Sequence, residues 1–227
     1  MIFWDPTYLI IVPAIIFSLI AQLKVSSAFQ KFSLVQNKHG ITAYEAARRI
    51  LDANGLYGVS IERTAGNLTD HYDPSANVIR LSDNVYSSTS VAAIGVAAHE
   101  VGHAIQHSEG YAPIKIRNIL VPVTRFGSFL SMPLVLLGLI LSMKFLISIG
   151  IFLFTGIVLF QAVTLPVEFN ASLRALKTLD SNLILYKDEV QMAKKVLSAA
   201  AMTYLAAMLS SLLSLLRLIA LSNRRRR

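Results

Sequence analysis

Four apolar stretches constrain this chain more than any other feature. Residues 8–23 are almost uninterrupted, and that run can begin as early as Ile2; 122–141 and 145–165 follow, separated only around Lys144; 197–221 closes the series, with Arg217 near its end. Each is close to the roughly 20 residues a helix needs to cross about 30 Å of hydrocarbon, where no water is present to satisfy a non-helical backbone. About four membrane-spanning helices are therefore predicted. Pro122 and Pro133 would start or kink the second of them without abolishing it.

Composition agrees with a bilayer. Charged residues make up 15% of the chain, well below the roughly 25% typical of water-soluble domains. The net charge of +8 invites a nucleic-acid reading, but four arginines form the terminal run 224–227 and most other basic residues flank apolar segments. That placement suits anionic headgroups and no nucleic-acid partner is expected. The chain has no cysteine, which excludes a disulfide framework and a thiolate metal site. The N-terminal stretch lacks the basic start and small-residue cleavage site of a signal peptide, since Asp5 is the only charged side chain before Lys24, so it reads as a retained anchor.

The predicted order is a first transmembrane helix at 1–23, a polar insert at 24–118, a transmembrane helical hairpin at 119–165, a helical segment at 166–196, and a last transmembrane helix with a basic tail at 197–227. Within the insert, Thr42 and Glu45 have capping-box spacing and open a helix that runs to about Ala53 and stops at Gly55. A strand is predicted at 59–61 and a second at 77–81, with 70–74 as chain punctuation between them. The serines at 87–90 offer N-caps for a helix over 91–108, closed by Gly110 with Pro113 beyond.

His99, Glu100, Val101, Gly102 and His103 spell H-E-x-x-H inside that last helix. Residues four apart lie about 40° apart around a helix axis, so both imidazoles project from one face and can share one tetrahedral zinc ion per chain. Glu100 is offset by one residue, which places its carboxylate beside a water on the metal. There it can take a proton and later pass it to a leaving amine. Two ordinary helix histidines are the plain alternative. Against them, Ala97, Ala98 and Gly102 give the helix the small residues that close packing needs.

A catalytic zinc needs a third protein ligand and an open fourth position. The candidates are His107, His71, His39 and a carboxylate elsewhere, and Glu168 is preferred. From the zinc helix the chain would cross by the second span, turn at Lys144 and return by the third, bringing Glu168 back to the side of His99 and His103. A simple helix cap or ion pair would explain the same carboxylate. His107 falls about 80° round the helix from His99; it is a candidate oxyanion donor or outer partner of a ligand, or merely an exposed residue. Arg174 is a candidate for the oxyanion or for orienting a ligand, against a headgroup-facing arginine. His71 is a weaker candidate in a turn. The strand Asn77, Val78, Ile79, Arg80 and Leu81 is a candidate exposed edge for binding an extended peptide, against a purely structural strand.

Four segments together resemble the YugP-type membrane zinc metallopeptidases of bacteria: LTDHYDP at 68–74, VIRLS at 78–82, VAAHEVGHAIQ at 96–106 and LPVEFNAS at 165–172. The resemblance spans about residues 40–180 and implies His99 and His103 as ligands and Glu100 as base. More distantly the chain is similar to HtpX and CAAX-prenyl membrane peptidases, in which the glutamate of an E-x-x-A-D pattern is the third ligand. That pattern maps onto Glu168 and Ala171, but Ser172 stands where it has aspartate. Asn170 is a candidate partial substitute.

The expected molecule is a mainly α integral membrane protein with a small α+β zincin-like catalytic domain on an HExxH helix. Its expected activity is that of a gluzincin-like zinc metalloendopeptidase acting on membrane-associated or unfolded polypeptides. A multi-pass place in a bacterial cell membrane is expected, with a membrane-protein partner or homo-oligomer left open. Lys and Arg are more numerous on the catalytic side, which favours a cytoplasmic site, while the arginine tail argues against it unless the last segment does not fully cross. A catalytically idle zinc-binding scaffold or adaptor is the alternative, disfavoured by the presence of Glu100. A transporter is disfavoured because the spans carry almost no ionisable residues in their interiors.

Overall fold

The computed structural model describes residues 6–224. The early start of the first apolar run at Ile2 and the tail at 225–227 lie outside the described residues. Two compact units form: one comprises the chain up to Gln22, Ala112–Pro166 and the chain from Thr203, and the other comprises Leu23–Tyr111 and Val167–Met202.

Among the described residues, four helices are long and apolar enough to cross a membrane. They are α1 (Val12–Ser33), α5 (Ala112–Ile140), α6 (Lys144–Ser181) and α7 (Lys187–Arg224). Their apolar parts make up the first unit, where large side chains face outward: Phe129, Phe152 and Ile140 are each more than three-quarters exposed, at 78%, 77% and 76%. An apolar surface of that kind suits lipid. Small residues draw α5 and α6 together, since a Cβ on Gly150 would lie 2.7 Å from the Ser131 carbonyl oxygen. The helix α5 runs through both Pro122 and Pro133 and begins ten residues earlier than the apolar run, at Ala112. Likewise, α6 continues unbroken past Pro166 as far as Ser181.

In the second unit, α2 (Ala43–Ala53) opens on the predicted capping box. The Glu45 amide donates to Thr42 Oγ1 at 3.2 Å, and the Thr42 amide donates to Glu45 Oε2 at 2.7 Å. Three strands follow, β1 (Ser60–Thr64), β2 (His71–Asp73) and β3 (Val78–Ser82), then the short α3 (Asp83–Tyr86) and α4 (Val91–Ser108). Ser90 caps α4 by accepting from the Ala93 amide at 3.2 Å, and Gly110 beyond it has φ of 65°. One hydrophobic core joins α2, the sheet, α4 and the polar ends of α6 and α7 through Ile50, Leu51, Ile79, Leu81, Ile94, Leu179 and Leu185.

The sheet corrects two expectations. Residues 71–73 are a strand instead of a turn, and the reversal signalled by Pro74 falls one step later, where Asp73 Oδ1 accepts from the Ser75 amide at 2.9 Å. The strand order is β1-β3-β2, with β1 parallel and β2 antiparallel to β3. Thus the stretch Asn77, Val78, Ile79, Arg80 and Leu81 does not form an exposed edge. Val78, Ile79 and Leu81 are buried, as expected for a strand paired on both sides. Asn77 precedes the strand with φ of 53° and donates to the Gly58 carbonyl. The outer strands are β1 and β2.

Candidate metal centre

The helix α4 presents His99 and His103 one turn apart, with ring centroids 4.7 Å from each other. Glu168 approaches from α6. Its Oε2 lies 3.3 Å from His99 Nε2 and 3.6 Å from His103 Nε2. One potential ligand atom from each of the three residues falls within a mutual 4.8 Å. Their side chains are 14%, 10% and 3% exposed, so a cation here would be largely shielded yet open on the His99 side.

What permits this approach is a missing side chain. A Cβ on Gly102 would stand 2.5 Å from the Ala171 carbonyl oxygen. The glycine inside the H-E-x-x-H motif therefore lets the backbones of α4 and α6 touch beside Glu168.

Each imidazole is also held from behind. His99 Nδ1 meets the Ser172 hydroxyl at 3.1 Å, and His103 Nδ1 meets Gln106 Oε1 at 3.1 Å. With both Nδ1 atoms so engaged, both Nε2 atoms are left for Glu168 and the common point. Two imidazole nitrogens plus one carboxylate is a donor set that fits catalytic zinc, which takes three protein ligands and a water. Burial disfavours a charged His103, but the Glu168 and Glu100 carboxylates outweigh it and hold its pKa above the ordinary histidine value.

Glu100 is buried but is not part of the three-ligand cluster; its Oε2 accepts from the Tyr72 backbone amide at 3.0 Å. That amide points away from β3, so the free edge of β2 is turned towards Glu100. His107 is exposed, with its ring 5.9 Å from that of Tyr72. His71 lies on β2, its Nδ1 2.8 Å from the Thr69 carbonyl oxygen. His39 packs edge-on against Tyr186, away from the cluster. Arg174 donates to Asn170 Oδ1 at 2.7 Å and pairs with Glu109 at 2.8 Å. Asn170 meets Gln106 and neither histidine.

The partner roles of Gln106 and Ser172 were missed from sequence. A helical i,i+3 relation to His103 was the available signal for Gln106. For Ser172 it was the aspartate position of the E-x-x-A-D pattern.

Residues 7–223 match the model of the family described as "Putative neutral zinc metallopeptidase". The chain is 51% identical over 199 residues to "Putative membrane protease YugP" of Bacillus subtilis (strain 168), an alignment covering 88% of each chain. No solved structure matches the chain.

Proposed function

The chain belongs to the family described as "Putative neutral zinc metallopeptidase", and from that membership we propose that it is a gluzincin-type membrane metalloendopeptidase with a zincin-like catalytic domain. The observation that carries this reading is the meeting of His99, His103 and Glu168 within 4.8 Å, with Glu100 next to the cluster in sequence yet outside it. His99, His103 and Glu168 would hold one zinc ion. When bound, zinc lowers the pKa of water and polarises a carbonyl.

Glu100 would act as general base. Its carboxylate accepts a proton from the attacking water and delivers it to the leaving amine nitrogen, as the peptide bond breaks and a carboxylic acid forms. The Tyr72 amide fixes the orientation of that carboxylate through its hydrogen bond. The outer edge of β2, in place of β3, is the proposed docking edge for an extended peptide, with the Tyr72 amide already taken by Glu100. His107, whose ring lies 5.9 Å from that of Tyr72 on this strand, is the side chain proposed for a developing oxyanion.

The proposed substrates are membrane-associated or unfolded polypeptides, cleaved at the cytoplasmic face of a bacterial membrane. Their support is the sequence of α6, in which Glu168 follows the apolar run 145–165 within one helix. The test is Glu100→Gln in detergent-purified protein, with labelled casein as an unfolded substrate. Zinc content should match wild type while cleavage falls by about 10²- to 10⁴-fold. Undiminished cleavage would remove Glu100 from the mechanism. Bound zinc with no cleavage in the wild type, even of membrane-inserted polypeptides, would point to a scaffold.

A further inference from the structure

The metal centre rests on a buried amide whose orientation is determined by its surroundings. Gln106 is fully buried, at 0% exposure, on the same face of α4 as His103. Its Nε2 donates to the Val167 carbonyl oxygen at 2.8 Å and to Asn170 Oδ1 at 2.9 Å. The Val167 carbonyl can only accept, so the amide atom facing it must be nitrogen. Asn170 is fixed by the same logic. Arg174 Nε, which can only donate, meets it at 2.7 Å, so the Asn170 atom shared by Arg174 and Gln106 must be oxygen.

With both N–H bonds of the amide used, the atom left facing His103 Nδ1 at 3.1 Å is oxygen. An amide oxygen only accepts, so Nδ1 must carry the proton, and in the neutral ring Nε2 then bears the free lone pair. Nε2 is also the atom turned to Glu168, at 3.6 Å. His99 differs on its Nδ1 side, where the Ser172 hydroxyl can either donate or accept and so does not itself choose the tautomer.

We propose that Gln106 is the positioning residue of the metal centre: it holds His103 in the Nδ1-protonated tautomer and ties that ligand to the α6 backbone next to Glu168. Through one side chain, two ligands from different helices keep a common register. Asn170 and Arg174 complete the chain of bonds, and Glu109 anchors its far end through Arg174 at 2.8 Å. Arg174 thus acts two residues removed from His103.

This inference rests on the reading of His99, His103 and Glu168 as ligands. Its test includes a measurement that needs no metal. In chelator-treated, detergent-purified protein with ¹⁵N-labelled histidine, at a pH where the rings are neutral, two-bond proton–nitrogen spectra report each tautomer. Wild-type His103 should be Nδ1-protonated. Gln106→Met, similar in size but without the amide, should give a mixture of tautomers at His103 and leave His99 as it was.

Zinc affinity, measured by competition with a chromophoric chelator, should fall roughly 10- to 100-fold in Gln106→Met. Should that variant not fold, Asn170→Ala, which removes the outer acceptor alone, should produce the same shift at His103 in smaller measure. An Nε2-protonated His103 in the wild type would overturn the proposal. So would a tautomer and affinity both unchanged in Gln106→Met. Wild-type protein that binds no zinc, yet shows the Nδ1-protonated ring, would instead overturn the ligand reading.

Discussion

Gly102 and Ala171 meet where a side chain on the first would collide with the backbone of the second. A Cβ at Gly102 would lie 2.5 Å from the Ala171 carbonyl oxygen and 3.2 Å from its Cα. The obstacle is main chain on both sides, so no rotamer change relieves it. Gly102→Ala should force α4 and α6 apart and cost about 1–3 kcal/mol. The gap opens beside Glu168, so zinc affinity should fall as well. Thermal unfolding and chelator competition on the purified variant check both, and wild-type values in each would show that the contact does not set the site.

Much of this geometry was written locally in the sequence. The capping box at Thr42 and Glu45, and Ser90 and Gly110 around α4, are chemical signals within one turn of the element they delimit, and both helices begin and end where those signals lie. The apolar runs located the long helices but not their ends, because hydrocarbon thickness fixes only the apolar part while α6 continues through polar sequence to Ser181. Strand β2 was illegible because its three residues HYD carry no apolar alternation and are strand only by pairing with β3. The bonds of Gln106 to Val167 and Asn170, and of Ser172 to His99, depend on which face of α6 meets α4. That is a long-range fact which no short window contains.

Ser172 offers a milder perturbation than Gln106. Its hydroxyl is the partner of His99 Nδ1 at 3.1 Å. It is a single group that Ser172→Ala removes without leaving a large void. Zinc affinity should drop by roughly 10-fold, the lower end of what losing an outer partner of a ligand costs. An unchanged affinity would mean that His99 is oriented by packing alone.

The capping box predicts a stability effect separable from the metal. Thr42→Ala should cost about 1 kcal/mol, lowering the unfolding midpoint by roughly 2–4 °C for a chain of this size. Bonds from the Thr42 backbone and hydroxyl hold the Glu45 carboxyl below its ordinary pKa. Depression in the folded state means a contribution present above the unfolded value, about 4.3, and lost as pH falls through the lower folded value. The gap between wild type and variant should therefore narrow in acid. Unfolding scans at neutral pH and near pH 3 decide it, and a gap that widened in acid would contradict the cap.

The absence of cysteine makes the orientation directly measurable. Tyr57 is 74% exposed between α2 and β1, so Tyr57→Cys would give the chain a single accessible thiol. If the insert is cytoplasmic, a membrane-impermeant maleimide should label it only after the cells are opened. Labelling in intact cells would place the insert on the outer face and give the arginine tail the deciding vote.

Glu168 is the residue on which the metal reading stands or falls. Its side chain is 3% exposed and touches both imidazoles, so it has no solvent to fall back on. Glu168→Ala takes away one of three donors. Zinc binding should weaken by more than the roughly 10- to 100-fold that the loss of an outer partner costs, with bound metal falling from about one ion per chain to a small fraction of that. Glu168→Asp, which keeps the charge but shortens the reach by one methylene, should fall between the two. Metal analysis of the three proteins after equal dialysis supplies the comparison. If both variants retain wild-type zinc, the third ligand must come from elsewhere. The nearest remaining imidazole on α4 is the exposed His107, whose own substitution would then be the one to release the metal.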